Sequence, residues 1–148
     1  MTFKAKSLIL LLLLFINCSF TVDTKEIVGS WYFVDYADKP YSKKELLELE
    51  KEIKNSPESW LKNFNYRFTN HKTYEYKIYG ELTNKGIYAI KQDDLILLFD
   101  KLKSKKDTFK LEYLDDKFLQ MKNSSNKRTS IYYKSEYKFP KVEVIVTE

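Results

Sequence analysis

Hydrophobic and polar residues follow three patterns along this chain of 148 residues. The first is an unbroken apolar run from Leu8 to Ile16, preceded by Lys4 and Lys6. In the second, at residues 42–63, apolar residues recur at helical spacing. In the third, which covers most of the remaining chain, apolar residues alternate with polar residues. Because a helix repeats about every 3.6 residues and a strand about every two, these patterns predict a mainly β protein with one helical segment.

The alternating segments predict eight short strands. The first, IVGSWYFVDY at 27–36, is rich in β-branched and aromatic residues. The fifth, LILLF, is apolar on both faces, so it is either covered on the outside or central. Polar hairpin turns at regular spacing predict an all-β fold, an eight-stranded antiparallel up-and-down barrel. The later strands are expected near 64–68, 74–78, 88–90, 95–99, 109–113, 118–122 and 130–137.

The helical segment is inserted between the first and second strands. Ser42 and Glu45 form a capping-box sequence at its start, and apolar residues follow at helical spacing. Ser56-Pro57 restarts the pattern, since serine favours the N-cap and proline the first helical position. We therefore expect one broken helix or a helix pair at 42–63.

The chain is predicted to have four parts. Residues 1–18 are expected to be a lipoprotein signal peptide that ends at the lipidated cysteine, and residues 19–26 a tether. Residues 27–137 are expected to form the barrel. Residues 138–148 are expected to be a C-terminal strand or tail, because valines alternate with other residues there.

The apolar run and the cysteine after it indicate export. A run this short cannot cross a hydrocarbon core, which needs about 20 residues, so it is typical of a secretion signal. The segment from Leu14 to Cys18 resembles a lipobox, although Phe15 and Asn17 depart from the strict pattern. Cys18 is the only cysteine, so no disulfide framework is expected. The alternative is an ordinary signal peptide cut near Ser19, in which case the protein is secreted.

Charge and composition narrow the class of partner. Without Lys4 and Lys6 the balance is 24 basic against 21 acidic residues, a net charge of +3. This mixed surface argues against a nucleic-acid partner, which usually requires a large basic excess on one face. Twelve tyrosines and ten phenylalanines are the stronger signal, because aromatic residues favour half-buried strands.

Four motifs point to a family: GSW at 29–31, YRFT at 66–69, GIYAI at 86–90 and IYYK at 131–134. With them the chain resembles the lipocalin-like lipoproteins of the bacterial envelope. The resemblance implies that Gly29 and Trp31 lie at the closed end of the barrel, with Trp31 filling it. It also implies that an arginine from a late strand packs across this tryptophan, but Arg128 lies in a predicted turn and that contact cannot be carried over. By analogy, the helical insertion sits over or beside the barrel mouth.

Alternate residues of the strands are expected to face one interior. Tyrosines there keep a hydroxyl group that needs a partner, so they could form a pocket for an apolar molecule with a polar end. The same rings could instead fill the barrel completely. The alternation also places Phe99 inside. The candidates for the pocket are Phe33, Tyr66, Phe68, Tyr74, Tyr76, Tyr88, Phe109, Tyr113 and Tyr133.

The sequence contains few residues that could act in catalysis or bind a metal. The only histidine, His71, lies in a predicted turn, and no serine or cysteine motif accompanies it, so we expect no enzyme activity. One histidine and one lipidated cysteine cannot complete a zinc or copper site, and Asp93-Asp94 and Asp115-Asp116 fit hairpin turns better than calcium sites. No metal and no cofactor are therefore expected.

Two functions remain open. The first is a lipid-anchored lipocalin-like protein of the cell envelope, which binds a small apolar or amphiphilic ligand and is sorted by Ser19 to the outer membrane. The second is a non-enzymatic interaction module with a solid barrel, such as an inhibitor, an immunity factor or an assembly factor. Its contact surface would be the helical insertion and the C-terminal strand.

Overall fold

The structure is a computed structural model. It describes residues 26–91, 94–100, 106–125 and 127–139. The predicted signal peptide with Cys18, most of the charged turn before Lys106 and the predicted C-terminal strand at 141–147 lie outside the described residues.

Eight antiparallel strands form a closed barrel, and each strand pairs with its neighbours in sequence. Strand β1 also pairs with β8, which closes the sheet. The predicted up-and-down barrel is therefore confirmed, with its helical insertion between the first two strands. The strands are β1 (Gly29–Ala37), β2 (Phe64–Phe68), β3 (Thr73–Ile78), β4 (Glu81–Lys91), β5 (Leu95–Asp100), β6 (Lys106–Leu114), β7 (Phe118–Asn123) and β8 (Thr129–Lys134).

The insertion contains two helices, α1 (Lys43–Asn55) and α2 (Pro57–Trp60). The Ser42 side chain accepts a hydrogen bond from the Glu45 N–H, and Glu45 accepts one from the Ser42 N–H, which is the predicted capping box. Proline opens α2. The helical spacing places one apolar stripe of α1 on the barrel, as expected for a helix that is polar on its other face.

Two separate apolar cores result from this arrangement. The inner core lies inside the barrel and contains inward side chains from every strand. The outer core lies between α1 and the outer wall, where Leu46, Leu49 and Ile53 pack with Val34 of β1 and Ile131 of β8. The helix therefore lies beside the barrel, on its outer wall, and not over its mouth.

Buried polar contacts fix α1 on this wall. The Gln120 side chain accepts a hydrogen bond from the Tyr41 N–H at 2.6 Å and donates one to the Tyr41 carbonyl at 3.0 Å. Near the other end of the helix, Glu50 pairs with Lys54 and with Lys117 of the β6–β7 turn, at 3.0 Å for Lys117. Hydrogen bonds from Lys54 and then Lys117 lower the pKa of Glu50. Because these polar partners lie at both ends of the helix, they set its position along the wall.

Trp31 plugs the lower end of the barrel, which we define as the end where β1 begins. Its side chain is fully buried, and its Nε1–H donates a hydrogen bond to the Ile27 carbonyl at 2.6 Å. Lys134 pairs with Trp31 across β1 and β8, and its Nζ lies 5.1 Å from the centroid of the indole ring. A lysine thus makes the contact that the family resemblance implied for an arginine.

Gly29 leaves room for this lysine. Its φ of +139° is a conformation that side chains rarely adopt, and an added Cβ would overlap Cε of Lys134. The spacing of Gly29 and Trp31 therefore has a physical reason: the glycine lets the lysine cross the strand and reach the indole ring.

We predict that Trp31→Ala lowers the free energy of unfolding by about 3 to 5 kcal/mol, because it removes the largest fully buried side chain and leaves a cavity. Urea unfolding measures the loss. Leu47→Ala on the exposed face of α1 is the control and should change stability by less than about 0.5 kcal/mol. Equal effects of the two substitutions would contradict the placement of Trp31.

Candidate functional site

The barrel interior is the candidate site, and its lower and middle parts are tightly packed. The buried residues of the inner core are between 0% and 8% exposed. A void the size of a ligand would expose the side chains around it, so these values leave little free space among them. The aromatic rings of this region therefore pack mainly against one another.

Tyr66 lies at the centre of the ring packing. Its ring centroid is 4.6 Å from that of Tyr76, 5.8 Å from those of Phe68 and Tyr132, and 6.4 Å from that of Tyr74. These distances are within the range of direct aromatic contact. Rings from β2, β3 and β8 thus meet across the barrel and do not merely line its wall.

The upper end of the interior is polar. It lies where β1 ends, beyond the part of β1 that pairs with β2. The strand pairing places Asn84 beside Tyr76, Asp100 beside Gly86, and Asp107 beside Leu98, all on the inner face. Tyr36 and Ser130 pair with each other at the same end. The interior is therefore amphipathic along its axis, with apolar side chains below and hydroxyl, amide and carboxyl groups above.

Burial and neighbouring polar groups raise the pKa values of the inner tyrosines. Burial raises the pKa of Tyr66 well above its usual value, and Tyr132 and Tyr76 raise it further. Burial first, then Asp100 and Asp107, raise the pKa of Tyr74 to about 12. The hydroxyl groups thus form an interacting set with two carboxyl groups in a poorly solvated space.

Seven of the nine predicted pocket residues face the interior. Their placement inside the barrel agrees with the alternation of the strands, whereas a ligand for them remains a prediction. These residues are Phe33, Tyr66, Phe68, Tyr74, Tyr76, Tyr88 and Phe109.

Tyr113 and Tyr133 do not face the interior, and their assignment to the pocket is wrong. Both pack in the outer core. A break in the register between Leu111 and Tyr113 reverses the facing of Tyr113 relative to a regular strand. On β8 the inward ring is Tyr132, which contacts Phe33, and its neighbour Tyr133 therefore points outward.

Phe99 also lies on the outer face, where it pairs with Ile87. Its neighbours Leu98 and Asp100 face inward instead. Because LILLF is apolar on both faces, its sequence alone could not identify the inner one.

Several polar residues of the upper end are not among the candidates that the sequence pattern predicts. Asp107 belongs to the charged segment between the fifth and sixth predicted strands, and Asp100 directly follows the fifth, although each is one alternation step from an inward residue, Phe109 and Leu98 respectively. Tyr36 and Ser130 lie beyond a register break between Phe33 and Asp35. Extending the alternation of Phe109 by one step toward the start of its strand would have found Asp107, whereas Asp100 could not be found, because the sequence does not identify the inner face of LILLF.

An open groove of about 1360 Å³ lies on the outer face of β1, β2 and β3. Tyr32, Asn65, Arg67 and Lys77 line it, and Phe139, at the end of the described chain, forms one edge. Its mixture of aromatic, amide and basic side chains differs from the apolar interior. This groove is a second candidate for a contact surface.

The described residues contain few side chains that could bind a metal or take part in a reaction. No group of three or more histidine, cysteine, aspartate or glutamate residues among them could hold a metal ion. His71 lies on the β2–β3 turn and lines the outer groove. Within the same residues, neither helix is long and apolar enough to cross a membrane.

Comparison of the chain with protein-family models finds no match, and comparison with curated proteins finds none either. The likeness to lipocalin-like lipoproteins therefore stays a prediction, and it rests on the four motifs and on the barrel that contains them.

We predict that the free energy of unfolding falls as the pH becomes alkaline. A tyrosine whose pKa is raised on folding contributes stability that is fully present below the unfolded pKa of about 10, and this is lost as pH rises from there through the folded pKa. The free energy of unfolding should therefore fall above about pH 10, as Tyr66, Tyr74 and Tyr132 ionise more readily in the unfolded chain.

Urea unfolding at several alkaline pH values measures this dependence. The free energy of unfolding of the Tyr66→Phe variant should fall less steeply as pH rises, since the substitution removes one of the groups whose pKa is raised. Parallel curves for the variant and the unchanged protein would contradict the burial of this hydroxyl group.

Proposed function

We propose that the protein is a non-enzymatic, lipid-anchored binding protein of the bacterial envelope, and that the upper end of its barrel binds an amphiphilic ligand. The observation that carries the proposal is the polarity of the interior, which changes from apolar to hydroxyl, amide and carboxyl groups along the barrel axis. Binding sites for small molecules typically combine an apolar lining with a few polar groups that fix orientation.

The depth of the site follows from the packing. The rings around Tyr66 occupy the middle of the barrel, so a ligand has access mainly to the layer above them. Tyr36 in this layer is 49% exposed, in contrast to the buried rings below. The ligand is therefore a compact molecule, or one whose chain remains partly outside the barrel.

The charge of the upper end also limits which polar group the ligand can carry. Asp100 and Asp107 face the interior there, and carboxylates disfavour an anionic group nearby. Tyrosine hydroxyls and the Asn84 amide can both donate and accept hydrogen bonds. An amphiphile with a neutral or cationic polar end, such as a monoacylglycerol, fits this set better than a fatty acid.

We predict that Tyr76→Phe weakens the binding of a monoacylglycerol probe about fivefold, the effect of one net hydrogen bond of about 1 kcal/mol. Isothermal titration calorimetry measures the affinity. Tyr79→Phe is the matched control, because Tyr79 is 79% exposed outside the barrel, and it should leave the affinity unchanged. Failure of the unchanged protein to bind the monoacylglycerol probe, or equal effects of both variants, would contradict the proposal.

The lipid anchor is proposed on the sequence alone. A diacylglycerol on Cys18 with an acylated amine supplies several chains, each worth about 0.8 kcal/mol per buried methylene, so attachment is stable. We predict that Cys18→Ala moves the protein from the membrane to the soluble fraction and leaves the barrel folded, since residue 18 precedes β1. Cell fractionation with a high-salt wash measures this. Variant protein that stays in the washed membrane pellet would contradict lipidation.

A second candidate function is supported by the packed rings and by the outer groove. A barrel filled by its own side chains could act as a rigid scaffold, and the groove beside Arg67 and Phe139 would contact a protein partner. Native mass spectrometry of protein purified from its host separates the two candidates. A bound small molecule supports the first, whereas an empty barrel in a stoichiometric complex with another protein supports the second.

A further inference from the structure

The outer face of β4, β5 and the first part of β6 has an unusual distribution of charge. Four of its outward side chains, Lys85, Lys91, Lys106 and Lys110, are exposed lysines. Asp100 and Asp107 face the interior. Among the described residues, the nearest outer carboxylates lie at the margin of this surface: Glu75 of β3, which pairs across the strands with Lys85, and Glu81 at the start of β4. We call this surface the lysine face.

Apolar side chains occupy the middle of the lysine face. Ile87 and Phe99 pair directly across β4 and β5 and are 45% and 37% exposed. Leu97 and Ala89 form the next pair below them. Nζ of Lys106 lies 6.0 Å from the centroid of the Phe99 ring, so the basic and apolar groups are in contact.

The wall formed by β1, β7 and β8 differs from this face. There the outward apolar side chains, including Val34 and Ile131, are covered by α1. That helix exposes glutamates as well as lysines on its outer side. Within the described residues, the lysine face therefore combines an exposed apolar pair with an excess of lysines, and its carboxylates lie only at the margin.

We infer that the lysine face rests on a membrane surface of anionic phospholipid. Such a surface attracts basic side chains within about 10 Å, and exposed Ile and Phe side chains between them can enter the boundary between head groups and acyl chains. Long lysine side chains can place their stems against apolar surface while Nζ reaches the phosphates. This inference concerns orientation, and it does not depend on the ligand or on the lipid at Cys18.

Lysine acylation with a soluble N-hydroxysuccinimide ester, read residue by residue by mass spectrometry, tests the inference. The full chain is mixed with vesicles of phosphatidylglycerol and phosphatidylethanolamine, and separately with vesicles of phosphatidylcholine. On the anionic vesicles, labelling of Lys85, Lys91, Lys106 and Lys110 should slow about fivefold, the factor for about 1 kcal/mol of attraction per lysine. Exposed Lys44 and Lys51 of α1 serve as internal references and should not change.

A pair of charge-reversed variants provides the control. Lys106→Glu combined with Lys110→Glu should restore the labelling of Lys85 and Lys91 on anionic vesicles. Lys44→Glu combined with Lys51→Glu changes the net charge equally and should leave the protection intact. Near-ultraviolet circular dichroism verifies that each barrel is folded.

Three results would overturn the inference. The first is unchanged labelling of the lysine face on anionic vesicles, and the second is equal protection on phosphatidylcholine. The third is protection in host envelopes but not on anionic vesicles, which would indicate an acidic protein partner instead of lipid. The labelling of the unchanged protein decides the matter even if a variant fails to fold.

Discussion

Closure of the eight-stranded sheet is the constraint on which the rest of the structure depends. A closed barrel has no free edges, but every second side chain of every strand must then fit into one interior. Because an eight-stranded barrel has only enough room for side chains or one small ligand, bulky inward residues decide between these outcomes. Here Trp31, Tyr66 and Phe68 fill the lower and middle parts, and the polar residues remain at the upper end.

The same constraint explains the position of the helices. Strands that turn apolar residues inward still carry some apolar residues outward, and these must be covered or left exposed. On β1, β7 and β8 they are covered by α1, fixed by Gln120 and Glu50. On β4 and β5 the pair Ile87 and Phe99 stays partly exposed among lysines. The two sides of the barrel thus have different physical characters, although they belong to one sheet.

The periodic pattern predicted the strand number, the barrel and the helical insertion, since alternation and helical spacing are local signals. It also placed seven of nine pocket candidates inside. It failed where a shift of one residue decides whether a side chain points inward or outward. Tyr132 and Tyr133 are both aromatic, so composition could not show which of them points inward. The register break before Tyr113 is not visible in the sequence. The contact of Lys134 with Trp31 was also hidden, because pairing of β1 with β8 depends on closure of the whole sheet.

We propose that the interior, which is packed below, admits an amphiphile only at its polar upper end. Nuclear magnetic resonance of the aromatic ring carbons during titration with a monoacylglycerol tests it most directly. We expect the signals of Tyr36, Tyr76 and Tyr132 to shift, while those of Trp31 and Tyr88 at the lower end remain in place. Shifts of the lower rings, or no shift anywhere, would contradict it.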